Sequence, residues 1–413
     1  MQSIILEKPS KWSTRLLVIG KKVGGDEMIK REKILEVLES YKPKKLTIGC
    51  IGSHSALDIC DGAKDEGFET FVFCEEGREE PYTRYFRSRY ANKKLVSGCV
   101  DQAIVLKKFD EMLDEKWQDY MQEKNLLFIP NRSFVVYVGN EPIAEKFYVP
   151  LVGSRGMLGM EERGEGKDYY WLCQKAGIAT PKRVESPKQI DSLVMVKLPH
   201  AKQRLERGFF TAANYKEFKE KSKRLLKLGV ITKEDLKKAR IEEYILGPVM
   251  NFDFFYSPVN EALGEEGLEL LGIDWRFESN LDGLVRLPAG QQLSLREKQR
   301  DPLYIVVGHN TCTLRESILR HIFGMGEKFV EASQKHCKPG IIGAFCLQTI
   351  ITPELKPVVY DVALRIGGGT NVHAYLGHPY GNILWRKRMS SGRRTALEIK
   401  RARENELLEE IVT

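Results

Sequence analysis

Apolar residues fall in short, unbroken runs from Leu46 onward, and a polar or glycine-bearing turn follows each run. Leu46-Thr47-Ile48-Gly49-Cys50-Ile51 reads as a buried strand, Gly52-Ser53-His54-Ser55 as a turn, and Ala56 to Glu66 as a helix stopped by Gly67. Thr70-Phe71-Val72-Phe73-Cys74 is the next strand, which makes a β-α-β unit and implies a parallel sheet. Ligands of such sheets sit beyond the strand C-termini, beside helix N-termini that attract anions. Ser53 and His54 occupy that position, and a functional and a structural role for His54 weigh equally. Gln102 to Lys124 is amphipathic, with Val105, Phe109, Met112, Trp117, Tyr120 and Met121 forming a core-facing stripe. Leu126 to Pro130 is another strand, and the polar turn after it carries Ser133, which either holds a ligand or caps the next segment.

Glycines cluster at 150–165 and mark a boundary before a helix from Asp168 to Lys175. The strand from Leu193 to Pro199 carries Lys197, a charge that needs an anionic partner because burying it alone is costly. The basic loop His200 to Phe210, with Lys202, either closes over phosphates or is an exposed hairpin tip. Lys216 to Arg240 reads as a solvated helical region with Leu225, Leu226 and Leu228 as its apolar contacts. Ile241 to Pro248 is a strand bearing Glu242 and Glu243, and Val249 to Tyr256 continues the sheet. Behind the strand that starts at Leu268, Arg276 and Asn280 read a small polar substrate or belong to a plain turn. Thr311 to Ser333 reads as one or two core helices.

The C-terminal run offers the most chemistry. Gln348 and Asp361 lie on two apolar segments joined by the turn-like Thr352 to Pro357, and hard cations such as Mg²⁺ take oxygen ligands of this kind. Gly367-Gly368-Gly369 allows close backbone approach to a ligand, flanked by Arg365 and Asn371. On spacing alone, an ordinary amphipathic hairpin followed by a glycine turn is the favoured reading. Ser391-Gly392-Arg393-Arg394 opens an amphipathic helix, and a helix N-terminus with two guanidiniums suits a phosphate.

Composition narrows the class. A chain of 413 residues with 42% hydrophobic and 30% charged residues suits two or three soluble domains. No apolar run reaches the length of a membrane span, and the N-terminus is too broken by charge and proline for a signal peptide. The eight cysteines form no CxxC pair and read as reduced core thiols of a cytoplasmic protein. The net charge of +8 favours anionic ligands such as nucleotides, without the basic tract that nucleic acid would need.

Taken in order, the β-α-β start, the Lys-bearing strand, the basic loop, the paired glutamates and the two metal-ligand strands ending in an arginine resemble the ATP-grasp superfamily. The segments GSHSALDICDGAKDEGFET, IPNRSFVVYVG, LELLGIDWRFESNLDG, VVGHNTCTLRESIL, RIGGGTN and SSGRRTALEIKRA further resemble the archaeal formate-dependent ligase of purine synthesis (PurP) over roughly residues 45–413. The resemblance implies an α/β chain, α+β toward its C-terminus: an N-terminal extension at 1–40, a Rossmann-like preATP-grasp domain at 41–155, and an ATP-grasp domain at 156–413 with a lid at about 185–250. It implies ATP and Mg²⁺ (or Mn²⁺) as cofactors, and formylation of 5-aminoimidazole-4-carboxamide ribotide with formate through formyl phosphate. His54, Ser133 and Asn280 would be substrate ligands. Lys197, Glu243, Lys167 and Lys202 would contact ATP, Gln348 and Asp361 would hold the metal, and Arg365 would face the γ-phosphate with Lys197. A homo-oligomer is expected. The chain departs from the family's pattern in the loop His200 to Phe210, which has lost glycines, and in Asp361, where glutamate is usual. Those departures keep open a paralogue acting on another acid or amine, or a nucleotide-binding protein without turnover.

Overall fold

The computed structural model describes residues 28–163, 166–198, 209–295 and 306–413. Its strands in chain order are β1 (Thr47–Ile51), β2 (Glu69–Glu75), β3 (Arg89–Ala91), β4 (Lys94–Ser97), β5 (Gln102–Leu106), β6 (Leu126–Phe128) and β7 (Val194–Lys197). There follow β8 (Phe210–Ala212), β9 (Arg240–Glu243), β10 (Val249–Tyr256), β11 (Leu268–Glu278), β12 (Val306–Cys312), β13 (Gly343–Ile351) and β14 (Pro357–Ala363).

The first unit is a parallel sheet in the order β5-β2-β1-β6. Every residue of β1 is buried, as its apolar run requires. Strand order reverses at β1, so a crevice opens beyond the ends of β1 and β6. His54 follows β1 there with φ +57°, a left-handed conformation that is uncommon outside glycine. Asn131 follows β6 and locks the two ends together. Its side-chain oxygen caps the helix Arg132–Val138 at Phe134 N (3.2 Å), and its amide donates to the Ile51 and Ser53 carbonyls (3.1 and 3.0 Å).

The second unit is an antiparallel sheet in the order β12-β11-β10-β13-β14. Side chains alternate between its faces. Phe252 and Phe254 point into a core with Phe329 and Phe345, while Asn251 and Asp253 on the same strand face a cleft. Phe345 stacks on Phe254 at 5.2 Å and on Phe329 at 5.5 Å. The third unit is the small sheet β8-β7-β9 with a separate core of Val194, Val196, Phe210, Phe218 and Ile241. Leu225 and Leu226 of the charged helix Tyr215–Lys227 pack on this core, whereas Leu228 is exposed.

The helix Ser391–Glu404 lies against the helix Ala56–Asp65 of the first unit and ties the C-terminal residues to it. The two cross where glycine meets glycine. A Cβ on Gly392 would stand 2.1 Å from the Asp58 carbonyl oxygen, and one on Gly62 would stand 2.1 Å from Arg393 N.

Three sequence expectations change. Gln102 to Lys124 is not one amphipathic helix: β5 occupies its start, Val105 is exposed, and the helix spans only Glu115–Glu123. Thr311 and Cys312 complete β12, and the core helix begins at Leu319. After β11 the chain enters a short helix, Ser279–Leu284, rather than a turn.

Candidate active site

A cleft of about 1310 Å³ lies between the end of the parallel sheet and the polar face of the antiparallel sheet. The β13–β14 hairpin forms as its turn residues predict, and Gln348 faces Asp361 directly across the ladder. Both line the cleft. Asp361 lies 3.7 Å from the Arg163 guanidinium, and Gln348 Oε1 accepts a bond from the Tyr360 hydroxyl (3.4 Å). Two side-chain oxygens at one register position suit a hard cation.

Arg365 enters from the strand end after β14. One arm of its guanidinium donates to Glu161 (3.1 Å) and the other to the Ile366 carbonyl (3.1 Å). Glu161 also accepts from Arg132 (3.1 Å) and from Leu364 N (2.7 Å), so one buried carboxylate aligns two guanidiniums. Arg132, Arg163, Arg276 and Arg365 all line the cleft, an arrangement suited to phosphate oxygens.

Lys197, the last residue of β7, is buried in an ion pair with Glu242 of β9. Its ammonium also donates to the Tyr170 hydroxyl (3.0 Å) and the Tyr360 carbonyl (2.9 Å). Burial lowers the Lys197 pKa, and the Glu242 charge works against that shift. Arg240 stacks on the Tyr170 ring at 3.5 Å, so the small sheet rests on the body through a charged latch.

His54 lines the cleft wall beside the glycines. Burial, followed by the Arg365 charge, lowers its pKa well below the ordinary value and keeps the imidazole neutral. Its carbonyl accepts from Asn371 Nδ2 (2.7 Å). The glycine run serves the protein's own side chains: a Cβ on Gly368 would stand 2.7 Å from His54 Nε2, and one on Gly369 would stand 2.3 Å from the Asp274 carboxylate. Asp274 accepts from Asn251 Nδ2 (2.8 Å) and lies 2.5 Å from His309 Nδ1, which orients that imidazole at the cleft.

His54, Gln348, Asp361 and Arg365 therefore share one cleft, with Lys197 beside it. Other expected residues are not brought there. Ser133 is buried in the first turn of its helix and does not line the cleft, whereas its neighbour Arg132 does. Lys167 is exposed, with its ammonium 5.3 Å from the Trp171 ring. Glu243 turns away to accept from Lys182 N (2.9 Å), and Glu242 faces Lys197 instead. Lys202 and the side chain of Asn280 lie outside the described residues. The phosphate site expected at Ser391 to Arg394 is filled from within. The Asp58 carboxylate accepts from Gly392 N (3.1 Å), and Arg394 is buried between Glu269 and Glu398. Sequence reading missed Arg132, Glu161, Arg163, Asp253, Asp274 and His309. The alternation of Asn251 and Asp253 with phenylalanines was a signal for Asp253; Glu161 and Arg163 were concealed in the glycine-rich boundary.

Comparison with known proteins bears on this geometry. A family described as a domain of unknown function (DUF1297) matches residues 217–413, and a protein family of unknown function (DUF1246) matches residues 48–184. The 5-formaminoimidazole-4-carboxamide-1-(beta)-D-ribofuranosyl 5'-monophosphate synthetase of Methanopyrus kandleri is 42% identical over 387 residues, covering 94% of this chain and 100% of the relative. The chain belongs to this synthetase family. A crystal structure of an IMP biosynthesis protein PurP from Thermococcus kodakaraensis superposes with a TM-score of 0.63 at 29% identity, over 89% of this chain and 100% of that one. The ADP complex of purK, an N5-carboxyaminoimidazole ribonucleotide synthetase, superposes with a TM-score of 0.54 at 10% identity over 85% of this chain and 79% of its own. At that identity the likeness concerns the fold, and this synthetase family member has the ATP-grasp fold.

Among the described residues, no helix is long and apolar enough to cross a membrane.

Proposed function

We propose that the chain is an ATP-dependent carbon–nitrogen ligase that joins formate to 5-aminoimidazole-4-carboxamide ribotide, giving the formamido ribotide, ADP and phosphate in purine synthesis. The observation that carries this reading is the meeting of His54, Gln348, Asp361 and Arg365 around one cleft in a chain 42% identical to a synthetase named for that product. Formate oxygen attacks the γ-phosphorus, the bond to the departing ADP oxygen breaks, and formyl phosphate forms. The amine then attacks the formyl carbon and phosphate leaves. The amine proton goes to a base in the cleft, a role for which Asp274 orients His309.

The residues suit each task. Arg365 and Arg132, aligned by Glu161 before any ligand arrives, supply fixed positive charge where phosphoryl charge develops. Lys197 reaches the nucleotide from the small sheet once it leaves Glu242. Neutral His54 offers a hydrogen bond to the ribotide without repelling a cation nearby. Gln348 and Asp361 fit Mg²⁺, with Mn²⁺ a second hard cation of the same preference, because both present oxygen at facing register positions. When bound, that ion neutralises charge on the nucleotide phosphates. The small sheet, with a separate core, acts as the lid of the 156–413 domain and keeps water from the acyl phosphate. The 41–155 domain supplies His54. A cytoplasmic homo-oligomer completes the reading; sedimentation of the purified protein tests its oligomeric part.

The test is release of ADP and phosphate with ATP, Mg²⁺, formate and the ribotide, each omitted in turn, with Asp361→Ala alongside. Turnover requiring all components and lost in Asp361→Ala is expected. ATP binding without turnover, indifferent to which carboxylic acid is supplied, would overturn the ligase reading in favour of a nucleotide-binding paralogue.

A further inference from the structure

Asp253, His373 and His378 are all buried, and one ligand atom from each lies within 4.8 Å of the others. Three atoms of this cluster have no hydrogen-bond partner: Asp253 Oδ2, His373 Nε2 and His378 Nδ1. The other ring nitrogens are committed. His373 Nδ1 lies 3.3 Å from the Gly377 carbonyl, which can only accept, so the proton sits on Nδ1 and Nε2 carries a lone pair. His378 Nε2 lies 2.9 Å from Ser391 Oγ, and donation to that hydroxyl leaves the lone pair on Nδ1. Imidazoles that bind metals are oriented in this way, each through its second nitrogen. The absence of a side chain at Gly272 lets His378 pack close to β11, since a Cβ there would stand 2.4 Å from Nδ1. The three unpartnered atoms lie beside the buried carboxylate of Asp274, which Asn251 and His309 already partner.

We propose that Asp253, His373 and His378 form a binding site for one divalent transition-metal ion of the zinc class, distinct from the oxygen pair Gln348–Asp361. Two imidazoles and one carboxylate select such an ion over Mg²⁺, which prefers oxygen ligands and retained water. His378 Nδ1 and Asp253 Oδ2 are 3.8 Å apart. Ligand bonds of roughly 2.05 Å in a tetrahedron require about 3.3 Å, so this pair closes by roughly 0.5 Å. The two rings stack at 3.8 Å and 25°, so their lone pairs run nearly side by side, and binding one ion would require the rings to turn out of the stack against their Gly377 and Ser391 contacts. The ion would fasten the segment carrying Asn371 to β10, beneath the cleft.

The test does not rest on the ligase reading. Protein purified in Mg²⁺ buffer, then equilibrated with limiting Zn²⁺ or Co²⁺ and gel filtered, is assayed for bound metal by mass spectrometry and for Co²⁺ ligand-field absorption. The expected result is one ion per chain with a tetrahedral or five-coordinate Co²⁺ band. Both should be lost in His373→Gln and in His378→Asn, and the Gln348→Ala variant should retain the ion. Substoichiometric metal in the folded wild-type protein, or stoichiometric metal that survives both histidine substitutions, overturns the proposal. If the histidine variants do not fold, X-ray absorption of the Zn²⁺-loaded wild type decides: a first shell without imidazole scattering overturns it.

Discussion

Substitution of Gly392 by alanine tests whether the crossing of the helices Ala56–Asp65 and Ser391–Glu404 sets the relation between the first unit and the rest of the chain. The new Cβ would lie 2.1 Å from the Asp58 carbonyl oxygen and 2.7 Å from Ile59 N, against an ordinary contact distance of 3.4 Å or more. The shortfall is about 1.3 Å (3.4 less 2.1 Å), and the obstacle is backbone rather than the end of a side chain. Overpacking typically costs about 1–3 kcal/mol, and an obstacle that cannot turn aside puts this case at the upper end, about 3 kcal/mol. A helical alanine regains up to about 1 kcal/mol of backbone propensity, which leaves a net loss of about 2 kcal/mol or more. Gly324, in the helix Leu319–His336 with open space around its Cβ position, is the control, where alanine stabilises by about 0.5–1 kcal/mol. Urea denaturation of the three proteins gives the comparison. A Gly392→Ala midpoint at or above that of wild type would refute the close crossing.

Three further outcomes follow from the site and its surroundings. Arg365→Lys keeps a charge but loses the planar fork, and ADP release in the complete assay should fall by about 10²-fold or more with the fold retained by circular dichroism. Glu161→Gln leaves Arg132 and Arg365 without their shared carboxylate, and thermal unfolding should report a loss of about 3 kcal/mol, as for a broken buried ion pair. Burial raises the Asp58 carboxyl from 3.8 to about 6, so the folded protein binds the proton more tightly than the unfolded chain. Stability from that group is therefore full below pH 3.8 and is lost as pH rises through about 6, a swing of about 3 kcal/mol. Asp58→Asn, which keeps an acceptor for Gly392 N, should flatten stability across that window; an unchanged slope in denaturation midpoints would count against the assignment.

What could be read from the chain alone follows from how local each cause is. The β13–β14 hairpin was legible because Thr352 to Pro357 carries its own turn chemistry, and Lys197 because a lone charge on an apolar strand needs a partner. The chain alone does not name that partner. Strand parity puts Glu242 and Glu243 on opposite faces of the small sheet, and only the pairing of Arg240 with Lys197 puts Glu242 on the lysine's face. The Ser391 helix start did resemble an anion site, but Asp58 fills it from 334 positions away, a contact that no local pattern encodes. Gln102 to Lys124 was misread because an edge strand with an exposed Val105 and a following helix together imitate one amphipathic period.

On the proposed role of Lys197 at the nucleotide, its ion pair with Glu242 makes capture an exchange of anions. A phosphate that takes the ammonium must displace a carboxylate already in contact with it, and must leave that carboxylate a substitute, for which Arg240 (3.0 Å) and the Tyr170 hydroxyl (2.7 Å) are at hand. Apparent affinity then measures the difference between two buried contacts rather than the strength of one. Salt, which screens exposed charges far more than buried ones, would act on the approach of ATP more than on its retention. Because Lys197 and Glu242 both belong to the small sheet, the exchange takes place within that sheet, while the Lys197 contacts that reach the body are those to the Tyr170 hydroxyl and the Tyr360 carbonyl.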